Sequence, residues 1–271
     1  MKYILTAFLL FFALPAHAGE VFDRVMESGK IRCAYATWPP LMDQDVNSGV
    51  LKGTSYDLMN AIGEKLDLEV EWTEEVNWGN IIEGLVTKRY DMFCTGLGQN
   101  APRSKRMDWT DPFLYVALYG IVRQDETRFS SSKDFNSKDI SISVLEGEAS
   151  AITARQNFPE AQFVAIPQLA EFPQVLQDVV LKKVDVTVVE KPSFVSFEKN
   201  NPGKLKILEP KNPISVLPIA LGLPQGDMEF KVMMNTTLGE VMNDGTFEKL
   251  LDKHPETRDV FLMTSKPYEV E

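Results

Sequence analysis

Hydrophobic and polar positions alternate along this chain in two rhythms, one suited to strands and one to helices. Ile31-Arg32-Cys33-Ala34-Tyr35-Ala36 reads as a strand that stops at Trp38-Pro39-Pro40. From Ser55 to Leu66 the apolar residues Leu58, Ile62 and Leu66 recur at i, i+4 and i+8, which predicts a helix. Leu68 to Trp72 alternates like a strand. Asn77 is placed to cap a further helix whose apolar face is Ile81, Ile82, Leu85 and Val86. Tyr90 to Thr95 reads as strand again. A β-α-β-α-β order of this kind predicts a mostly parallel sheet covered by helices.

The pattern then restarts. An apolar stretch, Phe113 to Val122, leads into a polar linker, Arg123 to Lys138, rich in Ser and Asp. Next come a strand at Ile140–Leu145, a helix at about Ala149–Asn157 and a strand at Gln162–Ile166. A helix opened by Pro173, the strand Val184–Val189 and a helix opened by Pro192 follow, proline being well suited to a first helical turn. Val216–Leu223 is another apolar strand, and two helices, about 228–242 and 246–254, flank Asn243-Asp244-Gly245. The fold class is therefore α/β, with two units joined by apolar segments. Ligands of open α/β sheets bind beyond the carboxyl ends of the strands. The loops to search are Ala36–Leu41, Val76–Asn80, Thr95–Arg103, Leu145–Ser150 and Val189–Lys191.

The N-terminus and the composition narrow the address and the chemistry. Lys2 precedes an apolar run, Ile4 to Leu14, and then Pro15-Ala16-His17-Ala18, the small-x-small pattern of a signal peptide cleaved after Ala18. The run is too short to span a bilayer, which takes about 20 residues. Residues 1–18 are thus expected to direct export, and the periplasm is the expected destination. Against 28 Lys+Arg stand 39 Asp+Glu, a net charge of −11 with no basic run. Nucleic-acid binding and docking on anionic lipid both need clustered cations, so neither is expected. Of the 2 histidines only His254 survives cleavage, and it ends a charged helix, where it reads as an exposed cation near the helix dipole. No metal-ligand spacing exists, so neither a metal nor a cofactor is expected. Cys33 and Cys94 both lie in strand-like segments, where a disulfide and a pair of buried thiols are equally compatible readings.

The loop Thr95-Gly96-Leu97-Gly98-Gln99-Asn100-Ala101-Pro102-Arg103 is the most informative. Gly96 and Gly98 expose backbone N–H groups, and Arg103 offers a planar fork suited to a carboxylate, although a post-strand Arg is often only a solvated charge. Trp38 and Trp78, in the first two post-strand loops, can either sandwich an apolar or cationic group or pack beneath their loops. Glu190 ends the apolar strand from Val184, either as a partner for an ammonium or in a salt bridge to Lys191 or Arg155. Glu146 and Glu148 flank Gly147 and add negative charge.

These residues carry a resemblance. Ala101-Pro102-Arg103-Ser104-Lys105-Arg106-Met107-Asp108-Trp109-Thr110-Asp111-Pro112-Phe113 looks like the T-P-E-R-x-K-x-x-D-F-S-D-P-Y signature of the family 3 extracellular solute-binding proteins, the polar amino-acid receptors of ABC importers. Gly53-Thr54-Ser55-Tyr56-Asp57-Leu58 resembles their G-F-x-x-D-L, and Val184-Asp185-Val186, Asn201-Pro202-Gly203-Lys204-Leu205 and Asn243-Asp244-Gly245-Thr246-Phe247 fit later landmarks in order. The similarity covers roughly residues 29–254. It implies the two-lobed periplasmic-binding-protein fold (type II). Lobe 1 would comprise 19–117 and a return at 213–256, lobe 2 would be 118–212, and 257–271 would be a tail. It also implies that Arg103 grips the ligand's α-carboxylate, that Trp38 and Trp78 sandwich its side chain, and that Glu190 takes its α-ammonium.

Two departures bear on the ligand. Gly98 stands where the family has a Ser or Thr, and Gly147-Glu148-Ala149 stands for a G-T-T loop that also holds the carboxylate. An anionic Glu148 aimed at a ligand carboxylate would repel it. Either Glu148 faces outward or the ligand is not a standard α-amino acid. The resemblance implies a monomeric receptor that captures a small polar solute, an amino acid or related amine, by hinge closure and hands it to an inner-membrane ABC permease. Two alternatives share the fold: a cyclohexadienyl dehydratase-like enzyme using Glu190 or Glu148 as an acid, and an accessory or sensory binding module.

Overall fold

A computed structural model describes residues 19–45, 47–167 and 170–264; the expected signal peptide, 1–18, lies outside the described residues. The first lobe opens with α1 (Glu20–Ser28) and β1 (Lys30–Tyr35), followed by the small hairpin β2 (Asp43–Gln44) and β3 (Leu51–Lys52). Then come α2 (Thr54–Leu66), β4 (Glu69–Glu75), α3 (Ile81–Val86), β5 (Met92–Gly98) and the two-residue β6 (Asp108–Trp109). β1 pairs in parallel with β4 on one side and β5 on the other. All of β5 is buried, as expected for a central strand covered on both faces. Edge strand β4 instead alternates between exposed and half-buried residues.

β7 (Leu114–Arg123) carries the chain across to the second lobe. That lobe comprises β8 (Ser141–Leu145), α4 (Ala149–Asn157), β9 (Gln162–Ile166), α5 (Gln174–Val180), β10 (Val186–Glu190), α6 (Lys191–Asn200) and β11 (Leu205–Ile207). β12 (Ser215–Leu223) returns, and α7 (Met228–Asn243), α8 (Thr246–Lys253), α9 (Glu256–Val260) and β13 (Leu262–Met263) complete the first lobe. One sheet runs through both lobes in the order β4-β1-β5-β12-β7-β10-β8-β9. The link is an antiparallel ribbon in which β12 pairs with the first half of β7, Ser215 opposite Leu118 and Ile219 opposite Leu114. The second half of β7 pairs with β10, Val122 opposite Val186 and Leu118 opposite Glu190. Leu114 and Val116 pack in the first lobe's core, and Leu118 and Val122 pack in the second's.

Several segments differ from expectation. Cys33 and Cys94 form a disulfide between β1 and β5, Cα atoms 5.5 Å apart and both side chains fully buried, which decides between the two readings of that pair. His254 is not an exposed cation: its Nε2 lies 2.6 Å from Asp57 Oδ2, tying the end of α8 to α2. The polar linker expected at Arg123 to Lys138 is packed onto the second lobe, because Phe129 and Phe135 are buried edge-to-face against each other and Phe135 packs on Phe158. Its Glu126 is buried between Arg123 and Arg128, and those bonds hold its carboxyl down at about 2. Helix α1, which the apolar spacing does not announce, is anchored by one carboxylate. Asp227 Oδ2 accepts from Val21 N and Phe22 N at 2.9 and 3.1 Å, while its Oδ1 accepts from Phe230 N at 3.1 Å, so it caps α1 and α7 together. Of the expected tail, 257–271, residues 257–264 pack on the first lobe, where β13 adds to β7 and Phe261 is buried against Trp38, and 265–271 lie outside the described residues.

Candidate functional site

A cavity of about 310 Å³ lies between the lobes, at the carboxyl ends of β1 and β5 on one side and of β8 and β10 on the other. Trp38, Trp78, Gly98, Arg103, Glu148 and Glu190 all line it. Of the residues singled out in the loops after the strands, Gly96 and Glu146 do not. A Cβ on Gly96 would stand 2.5 Å from Ile219 Cγ2 and 2.9 Å from Leu41 Cδ1, so this glycine is a close-packing position of the core. Its N–H donates to Ser55 Oγ at 3.3 Å rather than facing the cavity.

Arg103 opens a short 3-10 turn, Arg103–Lys105, just past β5. Asn100 Oδ1 accepts from Arg103 N at 2.9 Å, which sets the turn and aims the side chain into the cavity. The guanidinium is buried and donates to two carbonyls, Nη1 to Gly98 O at 3.3 Å and Nη2 to Gly147 O at 3.2 Å. Nη2 also lies 4.0 Å from Glu148 Oε2. Gly98 belongs to the first lobe and Gly147 and Glu148 to the second, so this one side chain bridges the cleft. Gly147 has φ +84°, a left-handed conformation that glycine adopts without a Cβ clash, and it turns the chain from β8 into α4. The backbones of the two lobes approach closely here, since a Cβ on Gly98 would touch Ala149 Cβ at 3.7 Å.

Glu148 and Glu190 occupy equivalent places. Glu148 lies three residues past the end of β8 and Glu190 is the last residue of β10, and each is the residue preceding a helix, α4 and α6 respectively. Glu148 faces inward, only 8% exposed, which excludes the outward arrangement. Burial raises its pKa above the usual carboxylate value, against the lowering pull of Arg103 and of the Ala149 N–H. Glu190, also 8% exposed, is pushed up to about 7, chiefly by burial and then by the charge of Glu148. Its own backbone N–H, Arg103 and the Ser193 hydroxyl oppose that shift without cancelling it. Burial lowers the pKa of Arg103, and the two carboxylates raise it; an arginine in this setting stays charged. The surface partners considered for Glu190 are engaged elsewhere: Arg155 pairs with Glu146 at 2.5 Å, and Lys191 Nζ donates to Asp259 O at 2.7 Å. Glu146 consequently does not line the cavity.

The tryptophans form a corner rather than two parallel slabs. Their ring centroids are 5.6 Å apart with planes at 86°, whereas a guest between parallel rings needs about 7 Å, two contacts of about 3.5 Å. Trp38 is backed by Phe261 at 5.3 Å and Trp78 by Phe93 at 5.9 Å, both edge-to-face. Sequence reasoning missed Phe172 and Phe197, which supply the second lobe's apolar wall, and Ser193 and Ser196 on α6. For the three residues of α6 the signal was its periodicity: residues 193, 196, 197 and 200 recur on one face and mix small polar with aromatic side chains; Phe172, ahead of α5, had no such signal.

The profile describing bacterial extracellular solute-binding proteins, family 3, matches residues 31–257. A probable amino-acid ABC transporter-binding protein of Haemophilus influenzae is 26% identical over 247 residues, 88% of this chain and 90% of that protein. Among solved structures, an ancestral amino-acid-binding protein described as a precursor of cyclohexadienyl dehydratase superposes with a TM-score of 0.71 at 25% identity, covering 85% of this chain and 97% of the other. An ancestral arginine-binding protein bound to arginine gives 0.69 at 25% identity over 83% and 97%.

Proposed function

Because the chain belongs to the bacterial extracellular solute-binding proteins, family 3, we propose that it is exported to the periplasm, where it captures a small ammonium-bearing solute between its lobes and delivers it to an ABC permease. The observation that carries this reading is the bridged cleft. Arg103 from one lobe and Glu148 and Glu190 from the other meet in a single buried cavity. Such an arrangement gives a ligand contacts with both lobes only when they are closed, so binding shifts the equilibrium toward closure. The β7–β12 ribbon is the element about which the lobes would turn, because it is the covalent and hydrogen-bonded link between them. The probable amino-acid ABC transporter-binding protein of Haemophilus influenzae and the arginine-bound ancestral protein support a ligand that bears an amino group.

Intrinsic fluorescence tests this reading directly, since two of the chain's 4 tryptophans line the cavity. Titration of the mature protein with amino acids, their amines and polyamines should change the emission saturably for at least one compound, with a matching rise in melting temperature. A ligand at 100 times its Kd stabilises by about 2.7 kcal/mol. No response across the panel would sink the receptor reading.

One observation favours a second reading. An enzyme of the dehydratase type needs a carboxylic acid that keeps its proton near neutral pH, and Glu190 at about 7 meets that need. Incubation with prephenate or arogenate and detection of the aromatic product distinguishes this activity from binding alone.

A further inference from the structure

Charge does not balance in the cavity. Its described lining holds one guanidinium, Arg103, and two carboxylates, Glu148 and Glu190, among side chains that are otherwise apolar or small and polar. The guanidinium is partly engaged by the protein: two of its five N–H groups go to Gly98 O and Gly147 O, and Glu148 lies 4.0 Å away. Among the described residues Glu190 forms no ion pair: Arg103 lies against the two carbonyls and Glu148, and neighbouring Arg155 and Lys191 are turned to Glu146 and to Asp259 O. We propose that the cavity is built for an ammonium-bearing ligand without a carboxylate, its charge set against Glu190 and its apolar body against Trp38, Trp78, Phe172 and Phe197. Glu148 then acts as the protein's own carboxylate for Arg103. This inference rests on the cavity being a ligand site, as argued above, and narrows the class of ligand.

The physical case is one of competition and of charge. A zwitterion's carboxylate that docks on Arg103 is set beside Glu148, 4.0 Å from Nη2, and competes with it for the guanidinium's charge. Glu148 is buried and would be left as an unpaired carboxylate in a site of low dielectric, next to Glu190 and to the incoming anion. A cationic amino acid brings a compensating positive charge but meets the same competition at Arg103. A monoamine faces no such conflict: its one cation meets the one carboxylate that lacks a counter-ion, and the site becomes neutral. The lining supports an apolar body, since aromatic and aliphatic side chains from both lobes make up most of the wall.

Calorimetric titration at pH 8 with matched pairs tests the proposal: phenethylamine against L-phenylalanine, tyramine against L-tyrosine, and isoamylamine against L-leucine. In each pair that binds, the amine should bind at least tenfold more tightly than the amino acid. Glu148→Thr, by freeing Arg103, should reverse that order, and Glu190→Gln should abolish amine binding. Should Glu148→Thr fold poorly, the near-isosteric Glu148→Gln makes the same comparison, and the wild-type pairs decide the question by themselves. An amino acid that binds as tightly as its amine, or more tightly, overturns the inference and leaves the receptor reading intact. Silence from every compound takes both down.

Discussion

At the scale of single residues, Glu190 sets how the protein responds to pH. Its carboxyl is raised to about 7 from an ordinary 4.5, by burial first and by Glu148 second, with Arg103 and Ser193 opposing. Between those two values the folded chain holds a proton that the unfolded chain has lost, so stability falls as pH rises through this window. The full shift corresponds to about 3 kcal/mol as an upper bound. The melting temperature of the ligand-free protein should therefore fall from pH 5 to pH 8, and Glu190→Gln should flatten the decline. Equal slopes for the two proteins would show that the proton resides elsewhere. That Arg103, Glu148 and Glu190 lie at one edge of the sheet was legible from the sequence, because post-strand loops of α/β sheets converge there; that Glu148 turns inward was not, since the sequence is compatible with either orientation. What one residue does to another was not legible: the capture of Arg103 by Gly147 O and Glu148 depends on how two lobes meet, which no local pattern encodes.

At the scale of elements, the disulfide and the C-terminal segment each do work that spacing alone could not assign. Cys33 and Cys94 are 61 residues apart and join β1 to β5. Closing a loop of that length limits the unfolded chain by about 4 kcal/mol in the chain-entropy account. The Cys33→Ser/Cys94→Ser double variant should therefore melt roughly 10 °C lower for a chain of this size. Thermal denaturation checks it, and an unchanged melting temperature would mean that the bond is not formed. Elements with strong periodicity, such as α2, β8 and β10, were readable to within two residues, whereas β5 runs three residues past the expected strand end at Thr95 and takes Gly96 and Gly98 out of the expected loop and into the sheet. Helices α1 and α9 and strands β11 and β13 were not: each is short, and partners distant in sequence hold three of them in place, Asp227 for α1 and β7 for β11 and β13. Phe261 illustrates the consequence. It is buried against Trp38, so Phe261→Ala should cost about 3–5 kcal/mol as a core truncation and weaken ligand binding by loosening the aromatic corner. Urea unfolding and a binding titration of the same variant measure the two effects; a stability loss with unchanged affinity would show that Trp38 needs no backing.

At the scale of the whole molecule, the balance between open and closed lobes follows from the same unpaired charge. Closure brings Arg103 onto Gly147 O and Glu148, Lys191 Nζ onto Asp259 O, and α6 against α9. Against these contacts stands the burial of Glu190, whose ionised form is better solvated when the cleft is open to water. Above pH 7 the empty protein should therefore favour separated lobes. A bound ammonium supplies the missing counter-charge and tips the balance toward closure, and protonation of Glu190 at pH 6 does part of the same task without any ligand. Small-angle scattering reads this out. A compact chain of about 250 residues has a radius of gyration of roughly 18 Å. At pH 8 the ligand-free protein should exceed its ligand-bound form, and at pH 6 the difference between the two should shrink. Glu190→Gln should resemble the pH 6 state at both pH values, because its side chain cannot ionise. A radius that ignores both ligand and pH would mean that the lobes are held rigidly by the β7–β12 ribbon and by β13 lying along β7. Binding would then have to proceed through the mouth of a permanently closed cleft.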